Sequence, residues 1–305
     1  MKKKILVTGG AGFIGSHVVD LLVEHGHEVT VFDNLSTGKV ENINPRATFL
    51  WGDIRNRAEL GEVFSGKDVC IHLAAVASVA KSIDKWSDSS GVNALGSANV
   101  FDLSQKNGIE RIIYASSAAV YGVPEKTPIT ESSRIAPLSP YGADKYLSEL
   151  YGQAAYGCFG LKSVGLRFFN VYGPRQDPLS PYSGVISAFI DRVRKGMPIT
   201  IYGDGLQTRD FIYVGDVAKI ILEFVSSGVV ESDVFNICTN KCITIKALAE
   251  KLLKISSADR KIQYLAPRTG DIRESLGSNM KLEKFLGKIV YENVDHGLMK
   301  TFSVL

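Results

Sequence analysis

The chain has 305 residues, 45% of them hydrophobic and 22% charged, with a formal net charge of +3. That length suits one large or two modest domains with a sizeable core, and the scattered charges form no basic face that would argue for nucleic acid. No stretch approaches the roughly 18 apolar residues of a membrane span, and the apolar run in Met1-Lys2-Lys3-Lys4-Ile5-Leu6-Val7 stops at Thr8-Gly9-Gly10, short of the roughly 7–15 residues of a signal-peptide core, so a cytoplasmic protein without a membrane partner is expected.

Short β-rich runs occupy 4–8, 28–33, 47–51, 69–73, 111–116 and 163–169, and helical patterns lie at 13–24, 55–64, 91–105 and 141–158. Alternation of this kind predicts an α/β fold, a Rossmann-type doubly wound parallel sheet. Ligands of such sheets bind beyond the carboxyl ends of the strands. Ser139-Pro140 reads as an N-cap followed by proline at the first helical position. From about Asn170 the texture changes. Gly173-Pro174, Asp177-Pro178 and Ser180-Pro181 mark loops, and helices are predicted at 184–195, 217–226 and 245–255. A smaller mixed α/β substrate domain over the strand ends, leaving a cleft, is expected. The boundaries are 1–169 and 170–305, with some segments returning to the first domain.

Gly9-Gly10-Ala11-Gly12-Phe13-Ile14-Gly15 follows the first strand and opens the first helix. Glycines there let backbone N–H groups approach a pyrophosphate at the positive end of a helix. Asp33-Asn34 ends the second strand, at the spacing expected for a carboxylate on a ribose 2′-hydroxyl. An acid in that place repels a 2′-phosphate, which favours NAD over NADP; the alternative for Asp33 is a turn residue before Asn34. After the third strand, Gly52-Asp53-Ile54 offers Asp53 either as a partner for the adenine amino group or as a cap for the next helix. Leu73-Ala74-Ala75 ends the fourth strand with small residues that let a cofactor pass close, although they also suit a tight turn.

Tyr141 and Lys145 stand four residues apart and share one helix face. A neighbouring ammonium is expected to lower a phenol's pKa by roughly 1–3 units, which makes a proton acceptor usable near neutral pH. Ser116-Ser117-Ala118-Ala119-Val120-Tyr121-Gly122 ends the strand before that helix, so a hydroxyl there would face the cleft beside Tyr141. Four cysteines (Cys70, Cys158, Cys238, Cys242) and five histidines form no metal-ligand spacing; free thiols and no metal are expected.

The ordered set 8–15, Asp33-Asn34, Gly52-Asp53, 117–122, Tyr141-x-x-x-Lys145 and Arg167-Phe168-Phe169-Asn170-Val171-Tyr172-Gly173 resembles the extended short-chain dehydrogenase/reductase family. Within it the chain is most similar to the UDP-hexose 4-epimerases, from Lys4 to about Leu286. The resemblance implies NAD as cofactor, a UDP-sugar substrate, a 4-keto intermediate and a homodimer through the helices at 91–105 and 141–158. It implies Tyr141 as acid/base, Lys145 as its partner and a contact of the nicotinamide ribose, Ser117 on the sugar's 4-hydroxyl, and Ser116 against the nicotinamide. Asn170, Arg209 and Arg268 would bind the diphosphate and Asp271 the uridine ribose. Ser275, in place of a bulkier tyrosine, would border the C2 substituent and admit N-acetylated sugars.

Two departures stand out. Several epimerases of this kind carry a lysine shortly after the turn matched by Ala74-Ala75, where this chain has Val76-Ala77-Ser78-Val79-Ala80. Where several have Ser-Ala-Thr, it has Ser117-Ala118-Ala119. The family's 4,6-dehydratases and UDP-glucuronate decarboxylases usually carry an acid just before Val-Tyr-Gly; Ala118-Ala119 supplies no proton donor. UDP-glucuronate 4-epimerase stays open. A non-catalytic NAD-binding sensor, the reading from a different class, commonly loses the tyrosine or the lysine, and both are present here.

Overall fold

The computed structural model describes residues 2–178, 184–228, 231–257, 261–267 and 272–304. The chain forms two compact units. The first comprises Met1–Gly122, Ile135–Phe168 and Val217–Phe235; the second comprises Val123–Arg134, Phe169–Asp216 and Asn236–Leu305. None of the described helices is long and apolar enough to cross a membrane.

In the first unit, strands β1 (Lys4–Thr8), β2 (Glu28–Asp33), β3 (Thr48–Trp51), β4 (Val69–His72), β5 (Arg111–Ser117) and β6 (Lys162–Phe168) follow the alternation read from the sequence. They join strand β11 (Ser232–Ile237) in a seven-stranded sheet of order β11-β6-β5-β4-β1-β2-β3. The pairs β1–β2, β1–β4, β2–β3, β4–β5 and β5–β6 are all parallel. Strand order reverses between β1 and β4, the switch point at which open α/β sheets bind their ligands. The central strands β1, β4 and β5 are near-continuous apolar runs because both faces are covered, as parallel sheets require; Ile5, Leu6, Val7, Cys70, Ile71, Ile112 and Ile113 are fully buried.

Three helices of this unit matter for the site. Helix α1 (Phe13–Glu24) starts directly after the glycine loop. The helix predicted at 91–105 is in two parts, a π-helical stretch Gly91–Gly96 and helix α5 (Ser97–Lys106). Asn93, within the wide turn, exchanges hydrogen bonds with the backbone of Val76 (Oδ1 accepting at 2.8 Å, Nδ2 donating at 3.3 Å), which ties it to the chain after β4. Helix α6 (Pro140–Phe159) begins as its sequence predicts, with Ser139 accepting from the Gly142 N–H and Pro140 in the first turn. It ends on Gly160 at φ 69°, a left-handed cap that glycine adopts without strain. Helices α3 (Val79–Asp84) and α4 (Trp86–Ser90) were not expected from the sequence pattern.

The second unit is built from short strands. β7 (Asn170–Tyr172) pairs in parallel with β10 (Phe211–Tyr213). β9 (Thr208–Arg209) lies between β12 (Ile243–Thr244) and β14 (Glu274–Ser275), and β8 (Ile199–Tyr202) pairs with β13 (Ile262–Leu265). Helices α7 (Val185–Arg194) and α9 (Ile245–Ser256) bury Ile186, Phe189, Ile190, Leu248 and Leu252 in one apolar cluster with Leu298 of helix α11 (Val294–Val304).

Candidate functional site

The glycine loop is shaped by contacts that only glycine permits. A Cβ on Gly15 would stand 2.1 Å from the Gly9 carbonyl oxygen, and one on Gly9, which has φ +75°, 2.5 Å from the Ala74 nitrogen. These two positions therefore bring β1, α1 and the end of β4 together. Gly12 differs: a Cβ there would meet only the Gly9 oxygen, at 3.3 Å. Internal packing explains Gly12 least, and Gly12 is the N-cap of α1, with no side chain capping the first-turn N–H groups. The free N–H groups of Phe13, Ile14 and Gly15 make a cradle suited to a pyrophosphate.

Asp33 sits at the end of β2 and is nearly buried. Its carboxylate accepts from Ala11 N at 3.0 Å and Leu35 N at 2.8 Å, which supports Leu35 at φ 56°. Two of its roughly four lone-pair sites remain for a vicinal diol. Asp53 is placed otherwise. Arg55 donates to it through N (2.8 Å), Nε (3.0 Å) and Nη2 (2.7 Å), and Asn34 Nδ2 donates at 2.9 Å. Those contacts, the Arg55 side chain foremost, pull the Asp53 carboxyl down to about 2. Four donors fill its acceptor sites, so an adenine amino group would have to displace Arg55. Ile54 is buried, its side chain filling the space that a Cβ on Gly96 would need. Leu73, Ala74 and Ala75 are partly exposed, and the Leu73 N–H bonds the Thr8 carbonyl at 3.0 Å, which puts them at the switch point.

On the other side of that point, α6 lies against the end of β5. Tyr141 is partly exposed and its side chain lies beside that of Ser117. Ser117 Oγ also accepts from Ala119 N at 3.1 Å, capping the 3-10 turn Ala118–Tyr121. Lys145 Nζ donates to the Ala115 carbonyl at 3.0 Å and lies 5.8 Å from the centre of the Tyr141 ring. The expected lowering of the tyrosine pKa is corrected here. Burial pushes the Tyr141 phenol up and the Ser117 hydrogen bond only partly opposes it, because desolvation penalises the phenolate. Lys145 responds to the same burial: its ammonium comes down to about 8, against the pull of Asp144.

Several residues of this site escaped the sequence reading. His72, at the end of β4, is buried with Nδ1 2.7 Å from Thr8 Oγ1 and Nε2 3.0 Å from Ser97 Oγ. Burial, with Lys145 nearby, brings it down to about 3, so it is neutral. Asp144 is held by Ser90 Oγ, 3.0 Å from each carboxylate oxygen. Ser116 turns its hydroxyl into the protein, donating to Glu149 Oε1 at 2.5 Å, and Glu149 is paired with Arg167. A polar residue inside an apolar strand run, as His72 and Arg167 both are, is the signal that would have found two of them.

In the second unit, Asn170, Arg209 and Ser275 come together on adjoining strands. Asn170 Nδ2 donates to the Asp210 carbonyl at 2.9 Å. Arg209 Nη1 donates to the carbonyls of Thr208 (2.8 Å) and Ile272 (2.7 Å). Ser275 pairs in register with Arg209, and its carbonyl accepts from Asp210 N at 2.8 Å. The fully buried Asp210 carboxylate organises this region by accepting from Thr239 N and Oγ1, Asn240 N and Gly277 N. Arg268 and Asp271 lie outside the described residues.

The profile of the NAD dependent epimerase/dehydratase family matches residues 5–238. The chain is 43% identical over 271 residues to a putative UDP-glucose 4-epimerase of Methanocaldococcus jannaschii, covering 88% of this chain and 87% of the relative. Among solved structures it is similar to the UDP-glucose 4-epimerase of Thermotoga maritima with UDP-glucose, at 40% identity and a TM-score of 0.95 over 99% of this chain and 98% of that one. It is equally similar to the UDP-N-acetylglucosamine 4-epimerase of Methanobrevibacter ruminantium in complex with UDP-N-acetylmuramic acid, with 40% identity, a TM-score of 0.95 and the same coverage. With a glycine cradle that fits a dinucleotide, a Tyr-Lys pair beside a serine, and a profile match from β1 to β11, the chain belongs to the NAD dependent epimerase/dehydratase family.

Proposed function

We propose that the protein is a 4-epimerase of UDP-hexoses, acting through a 4-keto sugar and accepting N-acetylated sugars as well as UDP-glucose and UDP-galactose. The observation that carries this is the placement of the Tyr141 side chain beside Ser117 with Lys145 one helical turn along. Phe13, Ile14 and Gly15 hold the pyrophosphate of the cofactor, Asp33 a ribose diol, and Leu73, Ala74 and Ala75 leave room for it to pass. NAD, when bound, supplies the hydride acceptor for C4 and a positive nicotinamide charge. Ser117 accepts or donates at the sugar's 4-hydroxyl, and Tyr141 removes its proton. Lys145 stabilises the phenolate that does so. The 4-keto sugar then presents its opposite face, C4 takes back on that face the hydride that NAD would hold, which inverts the centre, and Tyr141 returns the proton to the 4-oxygen. Asn170, Arg209, Arg268 and Asp271 grip the UDP portion throughout, so binding energy remote from the reacting carbon keeps the intermediate from escaping.

Dehydration or decarboxylation fits less well, because Ala118 and Ala119 put no acid beside the carbons next to C4. The wider sugar scope draws support from Ser275 and from the relative named for UDP-N-acetylglucosamine. A panel of UDP-glucose, UDP-N-acetylglucosamine and UDP-glucuronate, with product analysis at C4, tests the reading. Inversion at C4 with no loss of water or carbon dioxide is expected, and unchanged C4 on every sugar would overturn it. Pairing of two copies through the helical stretch 91–106 and α6 accounts for Leu95 (57% exposed) and Leu150 (40% exposed); sedimentation at the mass of one chain would remove that assignment.

Asp33→Ala should weaken NAD binding about tenfold or more and narrow the preference over NADP. The substitution removes two acceptors of a diol and the charge that repels a 2′-phosphate. Calorimetric titration with both dinucleotides checks this. A wild type that binds NADP as tightly as NAD would take Asp33 out of the role.

A further inference from the structure

A fully buried ion pair sits directly behind the reacting groups, and the mechanism above makes no use of it. Glu149 and Arg167 have side chains 1% and 3% exposed. Arg167 donates to both carboxylate oxygens, Nε to Oε1 at 2.8 Å and Nη2 to Oε2 at 2.7 Å. Its Nη1 donates to Tyr121 Oη at 2.8 Å, and the guanidinium carbon lies 4.9 Å from the centre of the Tyr121 ring. Ser116 completes the cluster by donating to Glu149 Oε1 at 2.5 Å.

The placement of the four residues is what gives the cluster meaning. Ser116 and Arg167 are register partners across β5 and β6. Tyr121 closes the 3-10 turn that Ser117 caps. Glu149 is on α6, four residues beyond Lys145 and eight beyond Tyr141, so all three share one helix face. Each of the three has a partner at the end of β5: Tyr141 the Ser117 side chain, Lys145 the Ala115 carbonyl, Glu149 the Ser116 hydroxyl. The carboxylate therefore pins the helix that carries the acid/base to the strand and turn that carry Ser117. A buried ion pair is weak as a source of stability, since desolvation offsets much of its attraction, and a misplacement of about 1 Å in a catalytic constellation can cost about 10²-fold in rate.

We propose that Glu149 is a positioning residue: with Arg167 it sets Tyr141 against Ser117. This rests on Tyr141 being the acid/base. Two variants of the full chain test it. Glu149→Asp keeps a carboxylate for Arg167, but with one methylene less it cannot span both Arg167 and Ser116. Its thermal midpoint should stay near that of the wild type. Its kcat should fall about tenfold or more with the KM for UDP-glucose within about twofold. Glu149→Gln leaves Arg167 buried and unpaired, so it should lose stability as well as kcat; if it does not fold, Glu149→Asp decides alone. Wild-type kcat in a folded Glu149→Asp would overturn the proposal. So would a fall in kcat matched by an equal fall in the folded fraction. A Glu149→Asp that keeps wild-type kcat removes the positioning role whatever Tyr141 does, whereas near-native turnover of Tyr141→Phe removes the base assignment alone.

Discussion

Tyr141→Phe should lower kcat by a factor on the order of 10² to 10⁴, the range that a positioned general acid or base contributes, with the KM for the UDP-sugar little changed. The ring and its packing stay; only the hydroxyl beside Ser117 is lost, a change of about 1 kcal/mol or less in stability. The pH dependence supplies a sharper readout. The reactive form pairs a phenolate with an ammonium. In the chain alone burial opposes both, raising Tyr141 above the ordinary tyrosine value and bringing Lys145 down to about 8. At neutral pH Lys145 is therefore still mostly charged, and Tyr141 is a phenol that must give up its proton. A positive nicotinamide favours that loss. The wild-type kcat should accordingly rise with pH as the phenol titrates and flatten as Lys145 loses its charge above about 8. In Tyr141→Phe the rising limb should disappear. A variant that keeps near-native turnover and the same limb would show that another group moves the proton.

Much of the first unit was legible because its information is local. Parallel strands covered on both faces must be apolar throughout, so β1, β2, β4 and β5 announce themselves as short apolar runs between helical patterns. The glycine loop is legible for a related reason: the contact of Gly15 with the Gly9 carbonyl involves residues only six positions apart. β11 was missed because Ser232–Ile237 is added to the sheet edge beside β6, a pairing with a distant stretch that no local periodicity encodes. The helix at 91–105 was drawn as one regular segment. Its π-helical first part depends on Asn93 reaching the Val76 backbone, a tertiary contact that overrides propensity. The polar centre behaves likewise. Glu149 on a helix reads as a solvated acid, and only the burial of Arg167, 18 residues away, turns it into half of an ion pair. The tyrosine pKa was misjudged for the same reason: sequence spacing shows the neighbouring charge but not the desolvation that outweighs it.

Ser275→Tyr should abolish turnover of UDP-N-acetylglucosamine and UDP-N-acetylgalactosamine, by about 10²-fold or more, while leaving UDP-glucose and UDP-galactose within a few-fold of wild type. Ser275 is suited to such a test because its backbone is fixed independently of its side chain. It pairs with Arg209 across β14 and β9, and its carbonyl accepts from Asp210 N at 2.8 Å. The Asp210 carboxylate is itself anchored by four donors. The side chain is only partly buried, so a phenol ring can be added without overpacking a core. A ring beside the C2 substituent leaves room for a hydroxyl and clashes with an acetamido group. A clash of that kind discriminates more strongly than the roughly 1–3 kcal/mol of a missing methylene. Ser275→Ala, which adds no bulk, should leave both classes of sugar near wild type. Steady-state kcat/KM for the four sugars checks the pattern. Equal loss on both classes in Ser275→Tyr, or no loss on either, would show that another side chain borders C2, and the 4-epimerase reading would then have to be judged on Tyr141 and Ser117 alone.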